Sequence, residues 1–404
     1  MQIMEKSRRR LRVNGVVQGV GFRPFVFRLA QSHGLAGFIC NSSEGVLIEV
    51  EGTEFDLDSF EVCLLDEPPP LARILESNRE SIDPVGEGAF LISDTRRDAV
   101  ASTMISPDVA VCDQCVAELL DPTDRRYRYP FVNCTNCGPR FSIVRSIPYD
   151  RPNTSMSVFD LCPECAYEYE SPENRRFHAQ PNACHVCGPQ VELLDSGGSR
   201  VSADRPISAA VREIMSGRIL AVKGIGGFHL AVDAFNEEAI RQLRRRKGRD
   251  EKPFALMAAS LKQVGEFCYV SEAEKTLLES PSRPIVLLEA KAGRLAEGIA
   301  PGNRYLGFML PYTPLHHLLL EEAGGPLVMT SGNYSDEPIA IENGEAVERL
   351  GGIADLFLCH NREILQRCDD SVARVIRGRS RMIRRSRGHA PMPIYIEQGI
   401  DEPI

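Results

Sequence analysis

The chain has 404 residues, a formal net charge of −9, and 43% hydrophobic and 25% charged residues. That length gives material for about two to four soluble domains. The acidic balance argues against a general nucleic-acid binder, and no apolar run approaches the ~20 residues that a membrane span needs.

The start, Met1 to Arg10, is basic without an apolar run, so no signal peptide is expected. Residues 8–97 then read as a small α+β unit. Arg10–Val13 alternates like a strand, and Phe25–His33 carries an apolar helical face. Ala36–Cys40 and Val46–Val50 read as strands about a turn at Asn41–Gly45. A helix over Thr53–Leu65 and a closing strand at Phe90–Ile92 complete a β-α-β-β-α-β order, a ferredoxin-like sandwich. Gly15, Gly19 and Gly21 sit in one loop that leads into the first helix. Backbone N–H groups in such a loop converge on an anion, and Arg23 adds a charged planar fork. Gly15-x-Val17-Gln18-Gly19-Val20-Gly21-Phe22-Arg23, followed by Gly37-Phe38-x-x-Asn41-x-x-x-Gly45, resembles the acylphosphatase signature. The resemblance implies that Arg23 and the Gln18, Gly19, Val20, Gly21 and Phe22 loop hold phosphate. It also implies that Asn41 orients the attacking water.

Residues 105–190 hold Cys112, Cys115, Cys134 and Cys137, and then, fifty residues on, Cys162, Cys165, Cys184 and Cys187. Two Cys-x-x-Cys pairs per repeat predict two closed tetrathiolate zinc sites, structural because no position is left open for water. The pairing is sequential, or nested with the first pair joined to the fourth; spacing alone leaves both open. His178 and His185 read as non-ligands. The other cysteines, Cys40, Cys63, Cys268, Cys359 and Cys368, are scattered and bring the total to an odd thirteen. This pattern fits metal-bound thiolates in a reducing cytoplasm. The basic and aromatic linkers Arg125–Pro130, Pro148–Pro152 and Arg175–His178 are expected to dock these units against neighbouring domains.

An α/β unit is expected over 202–388. Ile219–Lys223 reads as a strand that leads into Gly224-Ile225-Gly226-Gly227-Phe228-His229, and Glu237–Arg246 as a helix. The basic stretch Lys247-Gly248-Arg249 with Lys252-Pro253, the segment Thr330-Ser331-Gly332-Asn333, Asp370-Ser371-Val372, and Arg384 near the end resemble the YrdC-like fold of threonylcarbamoyl-adenylate synthases. That resemblance assigns nucleotide and carboxylate binding to Lys247, Arg249, Lys252, Thr330, Ser331, Asn333, Ser371 and Arg384. The chain departs from the synthases in the segment Lys223–His229, which stands where they carry a threonine- and tyrosine-bearing one; this implies a smaller acceptor than threonine, with Lys223 and His229 expected among the nucleotide- and carbamate-binding residues.

The three parts in this order, with Tyr127-Arg128-Tyr129-Pro130-Phe131-x-Asn133-Cys134 and Val222–Leu230, are similar throughout to the hydrogenase maturation carbamoyltransferase family, HypF. The resemblance implies hydrolysis of carbamoyl phosphate, carbamoyl-adenylate formation from ATP with Mg²⁺, and a protein acceptor, the maturation factor HypE. It also implies a further C-terminal transferase domain. The chain ends at Ile404, so residues 389–404 read as a tail leading to that domain, with the final transfer step expected to be missing. A threonylcarbamoyl-adenylate synthase of tRNA modification, or a non-catalytic zinc-ribbon interaction module, are the alternatives.

Overall fold

The computed structural model describes residues 6–93, 104–291, 295–335 and 337–394; residues 94–97 of the first expected unit and most of the expected tail lie outside them. The first unit contains β1 (Ser7–Val16), α1 (Phe22–Ser32), β2 (Ala36–Ser42), β3 (Gly45–Gly52), α2 (Glu54–Asp66), β4 (Arg73–Ile82) and β5 (Phe90–Ile92). Its sheet runs β4-β1-β3-β2-β5. The expected closing strand is therefore a different one. β4 closes the sandwich, antiparallel to β1, while β5 adds a short parallel strand beside β2. The sequence hides β4 because almost every residue of RILESNRESI is exposed, so it lacks the half-buried alternation that marks a strand. Val13, Ile39, Ile48, Val26, Leu57 and Phe60 form the core between this sheet and its two helices.

The cysteine segment has little regular structure beyond α3 (Asp113–Leu120) and α4 (Pro163–Glu170), each beginning just after the first cysteine of its repeat. Its first repeat is not an island. Cys115, Cys134, Cys137, Tyr129 and Phe131 belong to the same apolar core as one face of the large sheet that follows.

That sheet comprises β6 (Val191–Asp195), β7 (Leu220–Lys223), β8 (Phe228–Asp233), β9 (Ala255–Met257), β10 (Ile285–Glu289), β11 (Tyr305–Met309), β12 (Leu327–Ser331), β13 (Leu356–His360), β14 (Val372–Ile376) and β15 (Arg379–Arg384). The strand order is β15-β14-β10-β11-β9-β12-β8-β7-β13-β6, mixed parallel and antiparallel. Helices α5 (Pro206–Met215), α6 (Glu237–Lys247), α7 (Leu261–Phe267), α8 (Glu272–Glu279), α9 (Pro314–Ala323) and α10 (Asn343–Leu350) accompany it. Apolar clusters fill both faces, as a sheet buried on two sides requires. Gly224–Gly227 is the turn of a β7–β8 hairpin, with Val222 opposite His229. Close packing requires glycine there: a Cβ on Gly226 would lie 2.2 Å from the Cys368 carbonyl oxygen. Among the described residues no helix is long and apolar enough to cross a membrane.

Candidate active sites

The glycine loop ends in Gly21, whose left-handed φ of 76° caps α1. Arg23 therefore stands in the first helical turn, where the helix dipole also favours an anion. The Gln18 side chain turns away from the loop mouth. Its amide donates to the carbonyls of Ser42 (2.8 Å) and Gly45 (2.7 Å), and its Oε1 accepts from Tyr149 N at 3.0 Å. Of Gln18, then, only the backbone is left to meet phosphate. Arg23 Nη2 donates to Asp150 Oδ1 at 2.7 Å, and Asn41 Nδ2 lies 3.5 Å from that oxygen and from the Tyr149 carbonyl. Arg23 and Asn41 are thus brought to one place, as the signature predicts. The roof over them comes from the cysteine segment: Thr135, Arg140, Tyr149 and His178 face Gly19, Gly21 and Arg23 across a cavity of about 20 Å³. Arg140 reaches across to donate to the Gly19 carbonyl. Burial, with Arg23 nearby, pushes the His178 imidazole down to about 4, so it is neutral near pH 7.

Within each cysteine repeat the four sulfurs lie within 4.8 Å of one another, which settles the pairing as sequential. The Sγ atoms of Cys112 and Cys134 are 3.7 Å apart, and those of Cys137 and Cys115 are 3.6 Å apart. Four thiolates at ~2.3 Å on a tetrahedron are spaced by about 3.8 Å, so the donor sets fit zinc. The basic linkers do more than dock neighbouring domains: each repeat sends an arginine pair to the other repeat's site. Arg125 Nη2 donates to Cys165 Sγ at 3.0 Å, and Arg126 Nη2 to the same sulfur at 3.4 Å. In return Arg175 Nη2 donates to Cys112 Sγ at 3.3 Å and Cys115 Sγ at 3.1 Å. Glu168 pairs with Arg125 and Arg126, and Glu118 with Arg175 and Arg176. A zinc ion with four thiolates carries a net charge of about −2, which each arginine pair, shared with its glutamate, offsets in part. His185 bonds the Tyr127 carbonyl at 2.9 Å, and neither it nor His178 joins a cysteine group.

The third region holds a cavity of about 330 Å³. Arg249, Thr330, Ser331, Asp369, Asp370 and Arg384 give it a polar wall, and Phe254, Ile285, Leu287 and Tyr305 an apolar one. Arg384 pairs with Asp369 at 2.6 Å. Asp370 accepts from Arg387 Nε at 2.8 Å and faces His229 Nε2 at 2.9 Å. Burial alone would raise the Asp370 carboxyl, but Arg387 and His229 outweigh it and hold the group well below the usual carboxylate range. Arg249, Thr330, Ser331 and Arg384 are therefore gathered as the motifs predict.

The remaining expected residues sit elsewhere. Lys247 is buried and donates to Ser331 O (2.6 Å) and Asn333 Oδ1 (2.9 Å), so it braces the Ser331–Asn333 turn from behind. Burial, helped by Arg249, lowers its ammonium to about 7. Ser371 Oγ is spent on the Arg387 carbonyl (2.9 Å) and Ser386 N (2.8 Å). Lys252 is exposed, and its carbonyl is taken by Arg244 and Arg249. Lys223 lines a separate small cavity with Phe131, Pro139, Tyr312, His360 and Arg362, at the seam between cysteine segment and sheet. There its Nζ bonds Asn343 Oδ1 at 2.7 Å, and burial lowers it to about 8. Asp150, Asp369 and Arg387 are the site residues that the motifs did not single out by role. Asp150 stood in the quoted Pro148–Pro152 linker, but nothing local in that linker points at a loop more than a hundred residues earlier.

Residues 9–92 match the acylphosphatase family, residues 111–144 and 161–194 the HypF finger, and residues 212–386 the Sua5/YciO/YrdC family described under telomere recombination. The chain is 49% identical over 412 aligned residues to carbamoyltransferase HypF2 of Cupriavidus necator, covering 96% of this chain and 51% of that protein. It is 50% identical to carbamoyltransferase HypF of Rhodobacter capsulatus, covering 97% of this chain and 52% of that protein. A crystal structure of full-length HypF in a phosphate- and nucleotide-bound form superposes with a TM-score of 0.95 at 48% identity, over 99% of this chain and 52% of that one. The chain therefore spans about half the length of the relatives it matches.

Proposed function

The chain belongs to the HypF carbamoyltransferase family over the part that it spans, and on that premise we propose that its two candidate sites act in sequence on carbamoyl phosphate and ATP. At the Arg23 loop, water and carbamoyl phosphate give carbamate and inorganic phosphate. Arg23 and the backbone N–H groups of Gly19 to Phe22 take up the phosphate charge, and Asn41 places the water. An acyl phosphate has a good leaving group, so catalysis here is mainly positioning and charge stabilisation. In the 330 Å³ cavity, carbamate attacks the α-phosphate of ATP to give carbamoyl-adenylate and pyrophosphate. Arg249 and Arg384 offset charge on the phosphates, Thr330 and Ser331 supply hydroxyls, and the apolar wall takes the base. Lys247 holds the Ser331–Asn333 turn in place; His229 beside Asp370, and Lys223 from its separate cavity at the seam, would be the groups that meet carbamate. Mg²⁺ would enter with ATP, held by its phosphates and by the Asp369 carboxylate, and would neutralise phosphate charge.

This reading gives the zinc segment, within 105–190, the task of fixing the 8–97 and 202–388 units relative to each other. The final carbamoyl acceptor would be the protein HypE, in the cytoplasm, for the cyanide ligands of [NiFe]-hydrogenase. The observation that carries the reading is the meeting of Arg23 and Asn41 at a glycine-rich loop in the same chain as an arginine-lined cavity on a Sua5-type sheet. The test is pyrophosphate release with ATP and Mg²⁺, with and without carbamoyl phosphate, for the chain and for Arg23→Ala. Release that requires carbamoyl phosphate and is lost in the variant is the expected result. Release driven by threonine instead would identify a threonylcarbamoyl-adenylate synthase, and no turnover of either substrate a binding module.

A further inference from the structure

We infer that Asp150 of the zinc segment is an intramolecular occupant of the acyl-phosphate site, which the substrate's phosphate must displace from Arg23 before hydrolysis can begin. The inference rests on the reading that the Arg23 loop binds acyl phosphate. Asp150 Oδ1 lies 2.7 Å from Arg23 Nη2 and 3.5 Å from Asn41 Nδ2, so one carboxylate oxygen stands between the group that binds phosphate and the group that places water. A dianion reaching both groups would come into contact with a like charge. The other polar atom of Asn41, Oδ1, is buried without a hydrogen-bond partner, and the Tyr149 carbonyl covers the amide nitrogen from the same side. Neither Asn41 nor Asp150 opens onto the cavity that the loop and its roof enclose.

The displacement is that of a side chain rather than of a loop. On one side of Asp150 the Tyr149 N–H is held by Gln18 Oε1 at 3.0 Å. On the other, the Arg151 N–H is held by Gln180 Oε1 at 2.7 Å, and the Arg151 guanidinium by the Gln180 carbonyl at 2.6 Å. The backbone is pinned at both neighbours, so a displacement falls on the side chain. The carboxylate is 20% exposed, so it has a solvated direction in which to turn. Asp150 lies outside residues 9–92, the acylphosphatase match, so the occupant comes with the zinc segment. Hydrolysis thereby answers to how that segment is seated.

The experiment is calorimetric titration of the whole chain with inorganic phosphate, alongside KM for carbamoyl phosphate. The variants are Asp150→Ala, Asp150→Asn and Asp150→Glu, each checked for two bound zinc ions. Loss of the competing charge should tighten phosphate binding roughly fivefold or more in Asp150→Ala, in the range of one lost ion pair. KM should fall in parallel, with Asp150→Asn in between and Asp150→Glu near the parent. Phosphate affinity that is unchanged or weaker in Asp150→Ala and Asp150→Asn overturns the inference. Arg23→Ala separates the two levels: if it binds phosphate as the parent does, the loop is not the phosphate site and the underlying reading fails instead.

Discussion

The two cysteine repeats have the same ligand spacing and different surroundings. In the first, Cys115, Cys134 and Cys137 are buried in the core shared with the large sheet. In the second, Cys165 and Cys184 are buried but outside that core, Cys162 and Cys187 are partly exposed, and of the four cysteines only Cys187 packs against the core's edge. Yet neither is complete alone, because the arginines that offset each thiolate cluster come from the other repeat. The lesson is that a tandem motif can be duplicated in sequence and still be one folding unit, when each copy supplies the counter-charge of its twin.

The strongest way to break this comparison is to remove one ligand from each repeat. Cys115→Ser should release zinc from the first site and expose the core that it shares with the sheet. The loss is on the order of 10 kcal/mol of metal-coupled folding energy, read as zinc content falling from two ions towards none and as loss of cooperative unfolding. Cys165→Ser should remove one ion while the sheet still unfolds cooperatively. Equal effects from the two variants would show that the shared core does not distinguish the repeats.

A smaller change sharpens the exchange itself. Arg126 is almost fully buried and donates to the Ala183 carbonyl at 2.9 Å, to Asn182 Oδ1 at 3.0 Å and to Glu168. Arg126→Ala leaves the Glu168 charge without its main partner, and should cost about 3–5 kcal/mol in urea unfolding. Arg175→Ala, with a quarter of its side chain exposed, should cost about 1–2 kcal/mol and raise the rate of zinc loss to a chelator from the first site in preference to the second. Arg125→Ala, a third exposed, should cost below about 1 kcal/mol, and less in high salt. If Arg175→Ala sped zinc loss from the second site instead, the cross-repeat assignment would be wrong.

Much of the molecule was legible in its residues because short-range chemistry marks it. The cysteine spacing needs only a tetrahedron, and the loop leading to Arg23 needs only glycine at left-handed φ before a helix. Thr330–Ser331 at a strand end followed from local pattern as well, while its place beside Arg249 came from the family resemblance. β4 escaped because an exposed edge strand has no apolar alternation to read. Lys247 and Ser371 matched motifs, yet their side chains are consumed by nearby backbone oxygens and amides, which no motif records.

The sequence by itself therefore determined which groups the chain carries: two tetrathiolate sets for metal, a glycine loop with an arginine, and a basic, hydroxyl-bearing set. Only the tertiary structure decided how they are paired. It chose sequential rather than nested cysteines, crossed the arginine arms between repeats, and set Asp150 against Arg23 from 127 positions away. The physical reason is that a ligand set or a glycine turn is satisfied by neighbours in the chain. A buried charge instead takes whichever counter-charge the packed core brings within about 3 Å, and that is fixed by how the units close upon one another.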